Sequence, residues 1–381
     1  MKLKAIILRR QILFLVIFPL CFFSCSAQEY YLLIGTYTNG SSKGIYVYDF
    51  DAKTGAVRLI SNTDSANNPS FLAASRNGEH VYAVNETGGA APPKVSAYHF
   101  NKKNGKLSFM NSSLTGGDGP CYVSVSPENN WIAVANYGGG SATMLPLNED
   151  GTIKPYAQLI NDSIYKTKEI DETPHVHACV FSPDGNFLFT PDLGLDKIMI
   201  YHFNSESKKP LVLASPSYAA SKKGGGPRHM TFHPNKKFAY VVQEMGGIVT
   251  SYRYKNGELF KIQDLQTFPQ GFVGLKDGAE IVVSPDGKFL YVSNRGDLNA
   301  ITIFSINPTS GKLSLRGYQP TLGKDPRNFI IDPTGNFLLA ANLTTDNIVI
   351  FKRNKQTGLL TKTNAQVDVP NPACLIMIRK N

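Results

Sequence analysis

The sequence is short of tryptophan, cysteine and charge. Trp131 is the only tryptophan in 381 residues, cysteines number five, and only 18% of residues are charged. A single tryptophan excludes the Trp-Asp signature repeated in WD40 blades. Cys21 and Cys25 lie in the N-terminal leader, which leaves Cys121, Cys179 and Cys374. An odd number, each inside an apolar strand pattern, makes no disulfide framework and reads as small buried hydrophobes. No Cys-x-x-Cys, His-Glu-x-x-His or Walker loop occurs, so no metal or cofactor is expected. Past Phe23 no apolar run approaches the roughly eighteen residues of a spanning helix, and long amphipathic helical patterns are missing.

What is abundant points to strands and turns: 33 Gly, 23 Pro, 22 Phe and 18 Tyr, with 42% hydrophobic residues to fill a core. The formal net charge of +10 is inflated by the first residues. Lys2, Lys4, Arg9 and Arg10 precede an apolar run from Ile12 to Phe23 and the small residues Ser24, Cys25, Ser26 and Ala27, the pattern of a secretory signal. Residues 1–24 are read as a signal peptide of lipoprotein type, with lipidation at Cys25 favoured over ordinary cleavage after Ala27. The mature chain is then exported, periplasmic or held at the cell envelope, and its only membrane contact is the lipid anchor. Removing the four leader cations lowers +10 to +6, too little for a nucleic-acid footprint, so no nucleic-acid partner is expected.

Internal periodicity decides the architecture. A small residue, usually with Pro, opens an apolar strand, followed by a Ser-Pro-Asp-Gly type turn and a second strand ending in Asn, Asp or Glu. The markers fall at positions 69, 120, 174, 227, 279, 326 and 372, spaced 51, 54, 53, 52, 47 and 46 residues apart. Each unit reads as four strands, with the polarity rising from the innermost to the outermost. The chain begins with Tyr31 to Ile34, a second strand without a first, and ends with Cys374 to Ile378, a first strand without a second. Joining them completes one blade and leaves no unpaired edge. The expectation is an all-β, seven-bladed β-propeller of four-stranded antiparallel blades over residues 29–381, one domain and a monomer.

In such a ring the starts of first strands and the ends of second strands converge on one channel mouth. Unusual polar residues sit at those two phases: His175, His177, Arg228, His229, Glu280 and Arg327 at the starts, and Tyr37, Glu86, Asn136, Tyr137, Asp192, Glu244, Asn294 and Arg295 at the ends. Asn and Asp at strand ends are ordinary turn residues. Arg228, Glu244 and Arg295 are harder to place as structure alone, because charges beside an inner strand need a pocket or one another.

Ile34-Gly35-Thr36-Tyr37-Thr38, Gly226-Pro227-Arg228-His229 with His233-Pro234, Gln243-Glu244 and Ser293-Asn294-Arg295-Gly296 together resemble the seven-bladed lactonase family. That family includes propeller-type 6-phosphogluconolactonases and fungal carboxymuconate lactonizing enzymes. The resemblance covers the whole mature chain. It implies a mouth site in which His177, Arg228, Glu244 and Arg295 are catalytic. His175, Asn136, Tyr137, Asp192 and Asn294 are expected to contact the substrate. The implied activity is metal-independent hydrolysis of a sugar lactone, most like 6-phosphogluconolactonase. A muconate-type lactonizing reaction and a non-catalytic binding propeller are the alternatives.

Overall fold

The computed structural model describes residues 29–63, 66–87, 91–162 and 173–380. The leader and Cys25 lie outside the described residues. Every regular element described is a β-strand, β1 to β28 in chain order, and they form seven four-stranded antiparallel sheets. Six sheets are consecutive in sequence and are called here the first to sixth blades, from β4–β7 through β24–β27. The seventh, in the order β28-β1-β2-β3, joins both ends of the chain. In it β1 (Glu29–Thr36) lies between β28 (Pro372–Arg379) and β2 (Tyr46–Asp51), with Leu32 opposite Met377 and Ile34 opposite Leu375. The ring is therefore closed by the strand pairing that the sequence pattern requires.

Burial follows position in the blade, with one refinement. Second strands such as β9 (Trp131–Asn136), β21 (Phe289–Asn294) and β25 (Phe337–Asn342) are buried at every residue, whereas outer strands such as β7 (Lys106–Leu114) are half-buried or exposed throughout. The innermost strands are not the driest. β16 (Pro227–Phe232) and β24 (Pro326–Ile331) are only half-buried at their C-terminal residues, because their inner edge faces the channel. Apolar clusters fill the spaces between neighbouring blades: Phe289, Tyr291, Ile303, Phe329, Leu338 and Phe351 form one such wedge. Outer turns lock into it. Gly358 sits at φ +77°, and an added Cβ would come within 2.3 Å of Phe289, while its carbonyl accepts a 2.7 Å hydrogen bond from the Tyr291 hydroxyl. The buried guanidinium of Arg353 bonds Tyr291 Oη, the Gly335 carbonyl and Asp286, tying the same blades together.

Two local irregularities place the functional side chains. First, the pairing of first with second strands shifts register beside the opening proline. Pro227 faces Gln243 but His229 faces Val242; Pro326 faces Asn342 but Asn328 faces Ala341; Pro120 faces Asn136 but Tyr122 faces Ala135. The extra residue at each bulge is Arg228, Arg327 or Cys121, and a bulge re-aims the side chain that it carries. Second, the expected first strand from Val176 to Phe181 is broken. Only β12 (Val180–Phe181) forms a ladder, and Val176 makes a single bridge to Asp192. Pro191 in β13 (Phe187–Asp192) has no N–H to give, so its carbonyl takes the His177 amide alone, and the Asp192 carboxylate takes the His175 amide.

Candidate functional site

The bulge after Pro227 drives Arg228 into the channel, where it is 1% exposed. Its Nε lies 2.7 Å from Glu244 Oε2 and its Nη1 donates to the Ala279 carbonyl at 2.8 Å. Glu244 follows the end of β17 (Phe238–Gln243), and the same Oε2 lies 3.3 Å from Arg295 Nη2. Arg295, just past β21, also binds Asp277 and lies 3.7 Å from Asp325. Three blades thus contribute one cluster of two guanidiniums and three carboxylates. The Nε groups of Arg228 and Arg295 sit close to their carboxylates without being aimed at them, so these contacts are ion pairs without aligned hydrogen bonds. Burial and the neighbouring Arg295 lower the Arg228 pKa to about 10. Burial likewise raises the Asp277 carboxyl above its ordinary value, outweighing Arg295.

Below this cluster runs a second chain of polar contacts. His229 Nδ1 lies 3.2 Å from Glu280 Oε1, and its Nε2 faces Arg228 Nη1 at 3.4 Å. Glu280 also accepts a hydrogen bond from the Asn328 side-chain amide, whose Oδ1 accepts the Leu375 backbone N–H at 2.9 Å. Burial lowers the His229 pKa, and burial together with Arg228 and His229 pushes His177 well below the usual histidine range. Both imidazoles are neutral at pH 7. A narrow, partly open cavity of about 10 Å³ between Ser70, Cys121, Arg228, His229, Arg327 and Asn328 has room for about one water. Beside the cluster a cavity of about 530 Å³ opens between the fifth and sixth blades, bordered by Asp277, Arg295, Asp297, Lys324 and Asp325. Its size suits a sugar-sized ligand.

The expected residues divide into two groups. Arg228, Glu244 and Arg295 meet directly. His175 and Tyr137 stack at the same rim with ring centroids 4.4 Å apart, and His175 Nδ1 lies 3.0 Å from the Tyr137 carbonyl. His177 is 5% exposed and sits one layer lower, its ring edge-on to Tyr137 and His229, with Cys121 Sγ at 3.9 Å. It touches none of the carboxylates.

Asn136, Asn294 and Asp192 are a correction: all three are fully buried and serve their own blades instead of facing a substrate. Asn136 donates to Thr143 Oγ1 at 2.9 Å, and Asn294 to Thr302 Oγ1 at 2.9 Å. Asp192 accepts the amides of His175 and Leu195, and Asp162 is its neighbouring carboxyl. Burial and the neighbouring Asp192 raise the Asp162 carboxyl well above its usual range. A strand-end Asn or Asp points along its own hairpin, and this explains the miss.

Other mouth residues lie at phases read from the sequence but were not assigned to the site. Arg327 occupies the position in its blade that Arg228 occupies in the fourth. Asp277 and Asp325 immediately precede the first-strand openings of the fifth and sixth blades, a signal visible once Arg295 is known to need counter-charge. Tyr37 donates to Glu86 Oε2 at 2.8 Å, and Ser70 donates to the same oxygen. Cys121, Cys179 and Cys374 are free and buried, and burial raises the Cys121 thiol to about 12, which keeps it unreactive.

Seven closed blades around a channel whose mouth carries this guanidinium–carboxylate cluster define a β-propeller with an axial polar site. The family model described as "Lactonase, 7-bladed beta-propeller" matches residues 31–377, and the chain belongs to that family. It is 36% identical over 349 residues to a 6-phosphogluconolactonase of Bacillus subtilis, covering 91% of this chain and 98% of that one. It is also 36% identical over 351 residues to a 6-phosphogluconolactonase of Formosa agariphila, covering 91% and 99%. Among solved structures, the periplasmic gluconolactonase PpgL of Pseudomonas aeruginosa superposes with a TM-score of 0.88 at 35% identity, covering 93% of this chain and 100% of that one.

Proposed function

We propose that this protein hydrolyses a sugar lactone at the channel mouth, as the 6-phosphogluconolactonases it resembles do by name. The observation that carries the reading is the Arg228–Glu244–Arg295 cluster. Lactone opening needs a water made nucleophilic and a place for the charge that develops on the carbonyl oxygen. Glu244 Oε2 is occupied by the two arginines, whereas Oε1 accepts no hydrogen bond from the described residues. The Glu244 side chain is also 20% exposed, whereas His177 is only 5% exposed. Glu244 is therefore assigned the base. It takes a proton from water as the oxygen adds to the carbonyl carbon, and the Nη groups of Arg228 and Arg295 stabilise the tetrahedral oxyanion. Collapse breaks the ring C–O bond, and the proton passes to the departing ring oxygen to give the hydroxy acid.

The test is acid release from glucono-1,5-lactone and its 6-phosphate, followed against the uncatalysed background. Turnover of at least one is expected, and Glu244→Gln is expected to lower kcat by roughly 10²- to 10⁴-fold. No turnover of either lactone would overturn the reading. Export of the mature chain with a lipid on Cys25 completes the proposal, supported by the leader pattern and by the periplasmic relative. Mass spectrometry of the mature N-terminus is expected to find acylated Cys25, and an unmodified Gln28 start would refute the anchor.

A further inference from the structure

Of the three arginines at the mouth, two are already neutralised. Arg228 is paired with Glu244, and Arg295 with Asp277, Glu244 and Asp325. Arg327 is different. Its side chain has no carboxylate oxygen within 4.0 Å and no hydrogen-bond partner among the described residues. Its guanidinium lies instead over the Tyr37 ring, 5.5 Å from the centroid. It is half-buried, projected by the same bulge geometry as Arg228, and borders the same small cavity. Glu86, an acid that acts on Arg327 electrostatically, is engaged by the hydroxyls of Tyr37 and Ser70. A guanidinium placed over an aromatic ring and bound by no carboxylate keeps N–H groups for another ligand, and its planar fork matches phosphate and carboxylate oxygens.

We propose that Arg327 is the specificity-determining residue of the lactone site, binding an anionic group carried by the substrate away from the reacting carbonyl. The assignment rests on the lactonase reading. It separates two tasks that three arginines of one mouth would otherwise share. The carboxylate-paired Arg228 and Arg295 face the chemistry, and the unpaired Arg327 recognises fixed charge. Arg327 stays cationic throughout the working range: burial opposes its charge, but Tyr37, Glu86 and Glu244 raise its pKa above the ordinary arginine value. The ligand chemistry is a phosphate or a carboxylate, and substrates distinguish the two.

The experiment compares wild type, Arg327→Gln and Arg327→Lys on three lactones: glucono-1,5-lactone, its 6-phosphate, and the carboxylate-bearing glucaro-1,4-lactone. For Arg327→Gln, KM is expected to rise about ten- to a hundredfold on one or both charged lactones, the size of a lost charge-assisted contact. On the neutral lactone kcat/KM should stay within about threefold, as expected when a group that contacts only the fixed charge is removed. Arg327→Lys should recover part of the loss. The charged lactone that suffers more identifies the anion.

A uniform loss on all three lactones, or no loss on any, overturns the assignment. Inorganic phosphate supplies a second readout: calorimetric binding to wild type and at least tenfold weaker binding to Arg327→Gln are expected, and equal binding to both overturns it. That measurement needs no turnover. If wild type opened none of the lactones, the catalytic reading would fail while the anion site would still be decided.

Discussion

Replacing Arg228 with alanine is expected to cut lactone turnover about a hundredfold or more, in line with the roughly 2.7 to 4 kcal/mol that loss of one oxyanion donor costs. The structure explains why this position should be so sensitive. The guanidinium is almost fully buried, so its charge acts in a medium that screens poorly. It also fixes Glu244 from one side, while Arg295 holds the same oxygen from the other. Alanine therefore removes an oxyanion contact and loosens the base in one change. Arg295 still neutralises Glu244 in the variant, and the wedges between blades are untouched, so the fold should survive. Circular dichroism and thermal melting of the variant would check this, and kcat near that of wild type in a folded protein would sink the assignment of Arg228.

The second large effect concerns the ring. Ending the chain after Val369 deletes β28, and a near-complete loss of soluble folded protein is expected. The deleted strand buries Ala373, Cys374, Leu375 and Ile378, and it covers Leu32, Leu33 and Ile34 of β1, each 0% exposed. Exposing large apolar side chains costs about 1.5 to 3 kcal/mol each. Summed over both strands this reaches the whole 5 to 15 kcal/mol margin of an ordinary domain. β1 would also become an open edge, and Asn328 would lose the Leu375 amide beneath the site. Soluble yield and melting temperature report the outcome. A truncated chain that melts within a few degrees of wild type would show that the closing strand contributes little.

The fold was legible because a repeat near fifty residues repeats its turn chemistry, and because a first strand at one end answers a missing one at the other. The site was legible only in part. Arg228, Glu244 and Arg295 could be read because charge beside an inner strand demands an explanation. Asn136, Asn294 and Asp192 were misread because phase along the chain gives a residue's place, not the direction of its side chain. In each case the hairpin's own hydrogen bonds claim that side chain. Arg327 was placed at the mouth but not singled out, since its distinction from Arg228 lies in which carboxylates are near, and those come from other blades. The break in the third blade's first strand follows from Pro191, a residue in the partner strand, and a strand pattern read one segment at a time does not register it.

The direction of β1 also governs how the molecule would sit at a surface. Its last residue, Thr36, pairs with Pro372 at the mouth, so Glu29 emerges on the opposite face of the disc. Everything upstream leaves from there. An acyl chain on Cys25, four residues earlier, could stand off by no more than about 14 Å even with the chain fully extended. If Cys25 carries the acyl chain proposed above, so short a tether would keep the face that Glu29 leaves from toward the bilayer and turn the mouth away from it.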